Sequence, residues 1–193
     1  MTLGALLARI RALPIVADAL TRLGKGLPSS LCYHSASHTE DVLQEALLFG
    51  LHDKLEPRAL ELIGVAAAYH DLGFLERSTD NETIGARLAG EAMDRFGGFS
   101  PDEQQLIKQA ILDTQVKMTP EGPRQISNSW LSNYLLDADV SNLGRADFFE
   151  KAELVRRELG LRSSRIRPEG VASERVVEGV ADGRLSKPVE AFF

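Results

Sequence analysis

Residues 59–74 read ALELIGVAAAYHDLGF, and this stretch decides how the rest of the chain is interpreted. The apolar run predicts a buried helix that would be uninterrupted but for His70 and Asp71. A buried histidine or carboxylate costs several kcal/mol unless it is paired. The side chains of adjacent helical residues point roughly 100° apart. His70 and Asp71 could therefore both bind one metal ion only if the ion lay at their shared edge or if the helix ended there. Gly73 favours such an end, and a polar helix end without an ion is the alternative.

Helical spacing of apolar residues recurs along most of the chain, and few stretches alternate as strands do. We therefore expect an all-α fold in a single domain over residues 1–193. Two amphipathic helices are predicted within residues 1–26, separated at Pro14. The next predicted helices are 38–49, which Gly50 would end, Pro57 to Gly73, and 80–96. A further helix follows the capping box at 100–103, and the last two are the runs WLSNYLLDADVSNLG and FFEKAELVRREL. The polar segment TPEGPRQ is predicted to be a loop, and residues 160–193 a weakly patterned tail.

The formal charge of −6 argues against a protein that binds duplex DNA over its whole surface, because such binding needs many basic side chains. In residues 151–167, six basic and two acidic residues predict either a solvated helix face or a contact to phosphate. Cys32 is the only cysteine, which excludes an intrachain disulfide and a cysteine zinc cluster and fits the reducing cytoplasm. The first 24 residues lack both a signal-peptide pattern and an apolar span of membrane length, so we expect no membrane insertion.

Three segments place metal-binding side chains beside apolar helices. They are YHSASH at 33–38, AAAYHDLGF at 66–74 and YLLDADVSNLG at 134–144. On a helix, Asp137 and Asp139 cannot both face one site, and we expect Asp139 to face it. Surface charge is the alternative for either aspartate.

His34 and His38 are spaced so that, on a helix, their Cβ atoms would lie about 5–6 Å apart. One imidazole could then bind a metal while the other reaches an oxygen of a phosphate. The competing interpretation is that both are ligands, as in the HExxH motif, but residues 35–37 lack the glutamate of that motif. A structural hydrogen-bonding role for His34 is a third interpretation.

The order of a histidine, a His-Asp dipeptide and a distant aspartate resembles the HD-domain superfamily of metal-dependent phosphohydrolases. More closely, the sequence is similar to a branch of small HD phosphohydrolases, some of them fused to nucleotide cyclases. The runs that carry this likeness are YHSxxHTxDV, YHDLGF, a helix after Asn81 and Glu82, IxxTQ and LLDADVSNLGRxDFF. The likeness covers about residues 30–160. A second dipeptide, at 52–53, lies between a glycine and a proline with no apolar helix leading into it, and we interpret it as loop.

The resemblance implies an HD-domain helical bundle in which one divalent ion is bound by His38, His70, Asp71 and Asp139. Two imidazoles and two carboxylates suit Mn, Fe, Co, Ni, Mg or Zn. The resemblance also implies that His34 is catalytic and protonates the leaving oxygen of the substrate.

The expected number of ions is one. Relatives that bind two or more ions use further histidines before the last aspartate, and residues 72–138 contain none. Glu82 or Asp113 could still hold a weak second ion.

Phosphoester hydrolysis is the chemistry that this ligand set favours, because a divalent ion polarises a phosphate and activates water. We expect the substrate to be a nucleotide or another small phosphorylated metabolite. Lys117 and Arg145 are candidate contacts to its phosphate, with surface positions as the alternative. Two other functions stay open, namely a regulatory HD domain that senses a nucleotide without turnover and a helical scaffold without metal.

Five further residues carry predictions of their own. Asp41 is predicted either to orient a ligand histidine or to lie on a helix surface. Cys32 and Trp130 are predicted to pack in the core. Tyr33 and Tyr69 precede the two histidine motifs and are predicted to line the pocket or to pack in the core.

Overall fold

The computed structural model describes residues 1–160, and the expected all-α class is confirmed there. The α-helices of this part are α1 (Leu3–Arg11), α2 (Pro14–Gly26), α3 (Ala36–His52), α4 (Pro57–Tyr69), α5 (Asn81–Phe96), α6 (Pro101–Asp113), α7 (Trp130–Asp139) and α8 (Phe148–Glu158). Two 3-10 helices, Leu72–Leu75 and Ser141–Gly144, follow α4 and α7. Within residues 1–160, none of the helices is both long enough and apolar enough to cross a bilayer.

The weakly patterned tail and part of the basic segment fall beyond the part of the chain that the structure describes. The predictions outside it concern residues 161–193, including Arg162, Arg165 and Arg167. The remaining basic residues of that segment lie on α8.

Helix α4 is the centre of the bundle and contacts α2, α3, α5, α6 and α7. Every residue from Leu62 to Tyr69 is buried, as expected for a helix that is apolar all round. A Cβ built on Gly64 would lie only 2.4 Å from Cγ2 of Ile10, so the missing side chain lets α1 approach closely. The end of α4 therefore delivers the next two residues, His70 and Asp71, into the interior.

Several predicted helix starts are confirmed. Pro14 begins α2 and Pro57 begins α4, each at a first-turn position that does not need an N–H group. At the start of α6, Ser100 Oγ accepts a hydrogen bond from Glu103 N at 3.3 Å, and Glu103 Oε2 accepts one from Ser100 N at 2.8 Å. This reciprocal capping box satisfies two backbone donors locally, which is why it can be identified without tertiary information.

The predicted end of a helix at Gly50 is wrong, because α3 continues through this residue to His52. Gly50 serves close packing instead, since a Cβ built there would lie 2.7 Å from Cδ2 of Leu60 in α4. The His52-Asp53 dipeptide is consequently at a helix end rather than in a loop. Its imidazole is 86% exposed, which agrees with the interpretation that this second dipeptide is not a site.

The segment predicted as a polar loop, residues 119–125, overlaps a short β-hairpin. Strand β1 (Lys117–Thr119) pairs in antiparallel register with β2 (Gly122–Arg124). Gly122 has φ +116°, a backbone conformation that favours glycine at this turn. Strands of three residues are too short to show the alternation by which strands are identified in a sequence.

Two of the predicted core residues lie outside the core. Trp130 is the first residue of α7, and it is 41% exposed. Cys32 is only partly buried in the loop before α3. Tyr69 is fully buried, and its hydroxyl donates a hydrogen bond to the carbonyl oxygen of Ile15 at 3.2 Å.

Candidate metal centre

The central helix α4 ends at Tyr69 rather than at the predicted Gly73. His70 keeps helical dihedral angles (φ −58°, ψ −40°), whereas Asp71 leaves the helix (φ −100°, ψ 3°). The break brings two adjacent side chains together, with His70 Nε2 3.2 Å from Asp71 Oδ2. The helix therefore ends at the dipeptide, which is one of the two conditions for both side chains to reach one ion.

Two glycines hold this turn tightly against α5. A Cβ built on Gly73 would lie 1.9 Å from the carbonyl oxygen of Asn81, the first residue of α5. A Cβ on Gly85 would lie 2.8 Å from the carbonyl oxygen of Tyr69. The contacts are between backbones, so only residues without a side chain fit, and the direction of the His-Asp turn is fixed by them.

His38 and Asp139 reach the same place from α3 and α7. Ser35 Oγ caps α3 by accepting a hydrogen bond from His38 N at 3.3 Å. His38 Nε2 lies 3.1 Å from Asp139 Oδ1 and 3.5 Å from Asp71 Oδ2, and Asp139 Oδ1 lies 3.7 Å from His70 Nε2. The structure thus brings together the four side chains from three distant segments, and we call them the His/Asp cluster.

Of the two aspartates at the end of α7, it is Asp139 that faces the cluster. Asp137, two residues earlier, is exposed. The second oxygen of Asp139, Oδ2, accepts a hydrogen bond from Gln125 Nε2 at 3.0 Å, and the same amide donates to the carbonyl oxygen of Thr114 at 2.7 Å. Gln125 therefore holds the carboxylate of Asp139 with its other oxygen, Oδ1, towards the histidines.

The nitrogen and oxygen atoms of the cluster are arranged as the ligands of a cation would be. His70 Nδ1 must donate to the carbonyl oxygen of Ala67 at 2.7 Å, because that oxygen can only accept. In the neutral ring, Nε2 is then the one acceptor nitrogen, and it faces Oδ2 of Asp71, which is also an acceptor. Within residues 1–160, His70 Nε2 and Asp71 Oδ2 are buried without a hydrogen-bond partner. A cation between them resolves this conflict, and ligand atoms of His38, His70 and Asp71 lie within 4.8 Å of one another, close enough to hold one.

Charge and burial act in opposite directions on the buried pair. Burial lowers the pKa of His70, but the carboxylates of Asp71 and Asp139 outweigh it and raise this pKa to about 9. Burial raises the pKa of Asp71, but His70 and His38 outweigh it and hold this pKa below its ordinary range. A proton on His70 would satisfy the facing acceptors as a metal cation does, so the proton and the metal compete.

His34 lies outside α3, which begins at Ala36, so the helical spacing assumed between His34 and His38 is wrong. The ring centroids of the two histidines are nevertheless 5.9 Å apart. The His34 ring stacks on Phe74, with 4.5 Å between centroids and 28° between planes. Its Nδ1 forms a hydrogen bond with Oε1 of Glu158, the last residue of α8. His34 therefore stands beside the His/Asp cluster, held by contacts of its own.

Glu158 is one of the residues of this site that sequence reasoning missed. It counted only as one of two acidic residues in a basic segment, on the helix predicted over FFEKAELVRREL. The chain separation between Glu158 and His34 is 124 residues, so no local pattern could have paired them.

Tyr33 lines a cleft beside the cluster rather than packing in the core. Its ring centroid lies 4.5 Å from that of His38, and its hydroxyl donates a hydrogen bond to Asn142 Oδ1 at 3.4 Å. Burial raises the pKa of Tyr33, and the negative charges of Asp139 and Asp71 raise it further. The hydroxyl therefore stays protonated near neutral pH and can act as a donor.

Arg145 and Lys151 lie in the wall of the same cleft. Arg145 donates to Asp147 through Nε at 3.0 Å and Nη2 at 2.8 Å, and Lys151 Nζ donates to Asp41 Oδ2 at 2.8 Å. Asp41 thus joins α3 to α8. Lys117 is exposed on β1, outside the wall of this cleft. The roles of Arg145 and Lys117 as phosphate contacts stay predictions.

The two candidate ligands of a second ion differ in their surroundings. Asp113 is buried and accepts hydrogen bonds from Gln109 Nε2, Ser132 Oγ, and both the backbone N and Nδ2 of Asn128, at 2.7–2.8 Å. These donors occupy both carboxylate oxygens, which makes Asp113 a structural residue. Glu82 is half-buried near the start of α5, where burial raises its pKa.

No model of a known protein family, no curated protein and no solved structure matches this chain. The function is therefore inferred from the His/Asp cluster, the cleft beside it and the motif residues of the sequence.

Proposed function

We propose that the protein is a metal-dependent phosphohydrolase of the HD type, which cleaves a phosphoester of a nucleotide or another small phosphorylated metabolite. The observation that carries this proposal is the buried, unsatisfied pair His70 Nε2 and Asp71 Oδ2, placed with His38 and Asp139 around one position. A purely structural cluster would be expected to pair its acceptors with donors. A helical scaffold without metal would need a proton on His70 to satisfy this pair, whereas a metal also accounts for the convergence of His38 and Asp139 on the same position.

The four cluster residues would hold one divalent ion, and Mn, Fe, Co, Ni, Mg and Zn all suit two imidazoles and two carboxylates. When bound, such an ion polarises a phosphate and lowers the pKa of water. Gln125 orients the carboxylate of Asp139, and the carbonyl oxygen of Ala67 fixes the tautomer of His70. These supporting contacts hold the ligand atoms before any substrate arrives.

His34 is the proposed proton donor to the leaving oxygen. Its Nδ1 is engaged by Glu158, so Nε2 is the ring nitrogen left for a substrate. Tyr33 and Phe74 contact the ring and limit its rotation. Such a general acid typically contributes about 10²–10⁴-fold to the rate. A cytoplasmic location, which the single cysteine favours, belongs to the same proposal.

The second candidate is a regulatory domain that binds a nucleotide in the same cleft without turnover. Arg145 pairs with Asp147 and Lys151 pairs with Asp41, so both cations of the cleft wall are already neutralised by carboxylates, which weakens their contact to a phosphate in either function. A phosphate would have to displace those carboxylates to use the charges.

A metal and substrate screen tests the proposal. The full chain is assayed with Mn, Mg, Zn, Co and Ni on nucleoside monophosphates and cyclic nucleotides, and phosphoester cleavage is measured beside nucleotide binding. We expect metal-dependent cleavage that falls about 10²–10⁴-fold in His34→Ala with metal content unchanged. Tight nucleotide binding without cleavage would favour the regulatory domain. Equal metal content in the unaltered protein and in His70→Ala would contradict the metal centre itself.

A further inference from the structure

The carboxylate of Glu158 is the meeting point of three hydrogen bonds from one short segment. Oε2 accepts from the backbone N of Tyr33 at 2.7 Å and from the backbone N of His34 at 3.1 Å. Oε1 is hydrogen-bonded to His34 Nδ1. The side chain of Glu158 is only 9% exposed, so these contacts are made largely out of water.

The contacts determine which nitrogen of His34 carries a proton. Burial raises the pKa of Glu158, but the side chain of His34 and the backbone N–H groups outweigh it and lower this pKa. The carboxylate is therefore ionised near neutral pH and can only accept hydrogen bonds. Nδ1 of His34 must donate, and the ring cannot adopt the tautomer in which only Nε2 is protonated.

Packing alone does not account for the position of Glu158. Helix α8 has no buried residue, and its main neighbour within the described residues is the 3-10 helix Ser141–Gly144. Its contacts to the segment around α3 are polar, through Glu158 at one end and through Lys151 to Asp41 nearer the other. Glu158 and Lys151 both have mostly buried side chains on this helix, and both are held by polar contacts to the segment around α3.

We propose that Glu158 is a positioning residue for His34: it fixes the orientation of the imidazole and keeps Nδ1 protonated, so that Nε2 exchanges the proton with the substrate. This proposal rests on the proposed phosphohydrolase function for its kinetic consequence. Glu158 itself touches neither the His/Asp cluster nor, in this role, the substrate. It acts through His34, and α8 is the element that carries it to the cleft.

Glu158→Gln is the sharpest substitution, because it keeps the size of the side chain and removes one acceptor. A glutamine offers one carbonyl oxygen and one NH₂ group. Either His34 Nδ1 or the two backbone N–H groups must then face a donor. Glu158→Asp keeps both oxygens and the charge but shortens the side chain by one methylene. Glu153→Gln is the matched control, since Glu153 is exposed on the same helix.

The kinetic test is a double-mutant cycle on the full chain with the metal that supports cleavage. We expect Glu158→Gln to lower kcat about tenfold or more while KM changes less than about threefold, with metal content unchanged. In the His34→Ala background the same substitution should have almost no further effect, because the residue through which it acts is gone. Glu158→Asp should recover part of the lost kcat, and Glu153→Gln should behave as the unaltered protein. Additive losses in the double variant, or an unchanged kcat in Glu158→Gln, would overturn the proposal.

A second readout does not depend on turnover. Long-range proton–nitrogen NMR of the full chain without paramagnetic metal reports the protonation of each imidazole nitrogen. We expect His34 Nδ1 to be protonated in the unaltered protein and in Glu153→Gln, and mixed between the two nitrogens in Glu158→Gln. An unchanged His34 spectrum in Glu158→Gln would refute the positioning role even in an active enzyme. If no phosphoester is cleaved while the spectrum changes as expected, the phosphohydrolase proposal fails and the role of Glu158 in orienting His34 stands.

Discussion

His70 has both ring nitrogens committed by the fold before any ligand arrives. Nδ1 donates to the carbonyl oxygen of Ala67, and Nε2 faces the carboxylates of Asp71 and Asp139. Histidines that bind metals commonly donate their other N–H group to a carbonyl oxygen, which fixes the tautomer and makes the free nitrogen a better ligand. At the scale of one residue, the fold has already selected the nitrogen that a metal would use.

Metal binding should release a proton from this residue. The pKa of His70 lies at about 9 in the protein without metal, so below that pH a proton occupies the position between the acceptors. Metal affinity should therefore rise about tenfold per pH unit from pH 6 to pH 8 and level off above about pH 9. Calorimetric titration with Zn or Mn in buffers of different ionisation enthalpy measures the protons released. Affinity that is independent of pH in this range would show that the metal does not displace this proton.

At the scale of elements, the turn after α4 and the start of α5 form one unit. Gly73 and Gly85 let two backbones touch, and the 3-10 helix Leu72–Leu75 fills the corner between α4 and α5. The same closeness sets the direction of the His-Asp dipeptide. Stability and site geometry therefore depend on the same contact.

Gly73→Ala should destabilise the protein by about 3 kcal/mol or more. The added Cβ would meet the carbonyl oxygen of Asn81 at 1.9 Å, and a backbone atom in a packed helix cannot move aside as a flexible side chain can. Gly90→Ala is the control, because its nearest neighbour is Cδ of Lys108 at 3.5 Å. There the helix should gain about 0.5–1 kcal/mol. Urea unfolding of both variants measures the difference, and similar stabilities would contradict the close contact.

Asp113 joins a second set of elements, the end of α6, the segment before α7, and α7 itself. Burial raises its pKa, but hydrogen bonds from Ser132, Asn128 and Gln109 outweigh this and lower it. The stabilisation from a carboxylate with a lowered pKa is present above the pKa of the unfolded state, about 4. It is lost as the pH falls from there through the lower pKa of the folded state.

Asp113→Asn should therefore cost about 2–3 kcal/mol at pH 7, because an NH₂ group replaces an oxygen that accepts hydrogen bonds in the interior. The difference from the unaltered protein should shrink as the pH falls below about 4. Chemical unfolding at pH 7 and near pH 3 measures both values. Asp102→Asn, an exposed position on the same helix, should cost less than about 1 kcal/mol at either pH. A loss for Asp113→Asn that is as large near pH 3 as at pH 7 would show that the carboxylate is not the source.

At the scale of the whole molecule, the His/Asp cluster joins α3, α4 and α7 at the centre of the bundle. Two buried histidines and two buried or half-buried acids without a cation are a cost to the fold. A ligand that binds only the folded state adds its binding free energy to stability. A metal bound at the His/Asp cluster would therefore stabilise the folded chain.

Metal at about 100 times its Kd should raise Tm by roughly 5–10 °C. Such an excess contributes about 2.7 kcal/mol, and each kcal/mol shifts the Tm of a chain of this size by about 2–4 °C. Differential scanning calorimetry with Mn, Zn or a chelator measures the shift. His52→Ala should keep it, because that imidazole is exposed, whereas His70→Ala should abolish it. An equal shift in all three proteins would place the bound metal elsewhere.

The particular residues show what a sequence can and cannot predict here. Capping at Ser100, the start of α2 at Pro14 and the helical class follow from local chemistry, and the structure confirms them. The predicted helix end at Gly50 was wrong. Glycine often ends helices, but here the missing side chain of Gly50 makes room for Leu60.

The members of the His/Asp cluster were predicted because their order along the chain resembles the order of a histidine, a His-Asp dipeptide and a distant aspartate in HD domains. The contacts of Glu158 and of Lys151 were not, since a single polar contact across more than 100 residues leaves no periodicity in a sequence. The exposure of Trp130 depends on where α7 begins relative to the rest of the bundle, which is also tertiary information.

The separation of the cluster residues along the chain determines when a complete binding position exists during synthesis. His38 and Asp139 are 101 residues apart, which a ribosome takes roughly 5–20 s to translate. Until then the nascent polypeptide presents only part of the ligand set, whichever helices have already formed. The four-residue cluster is therefore complete only after most of the described residues have been synthesised.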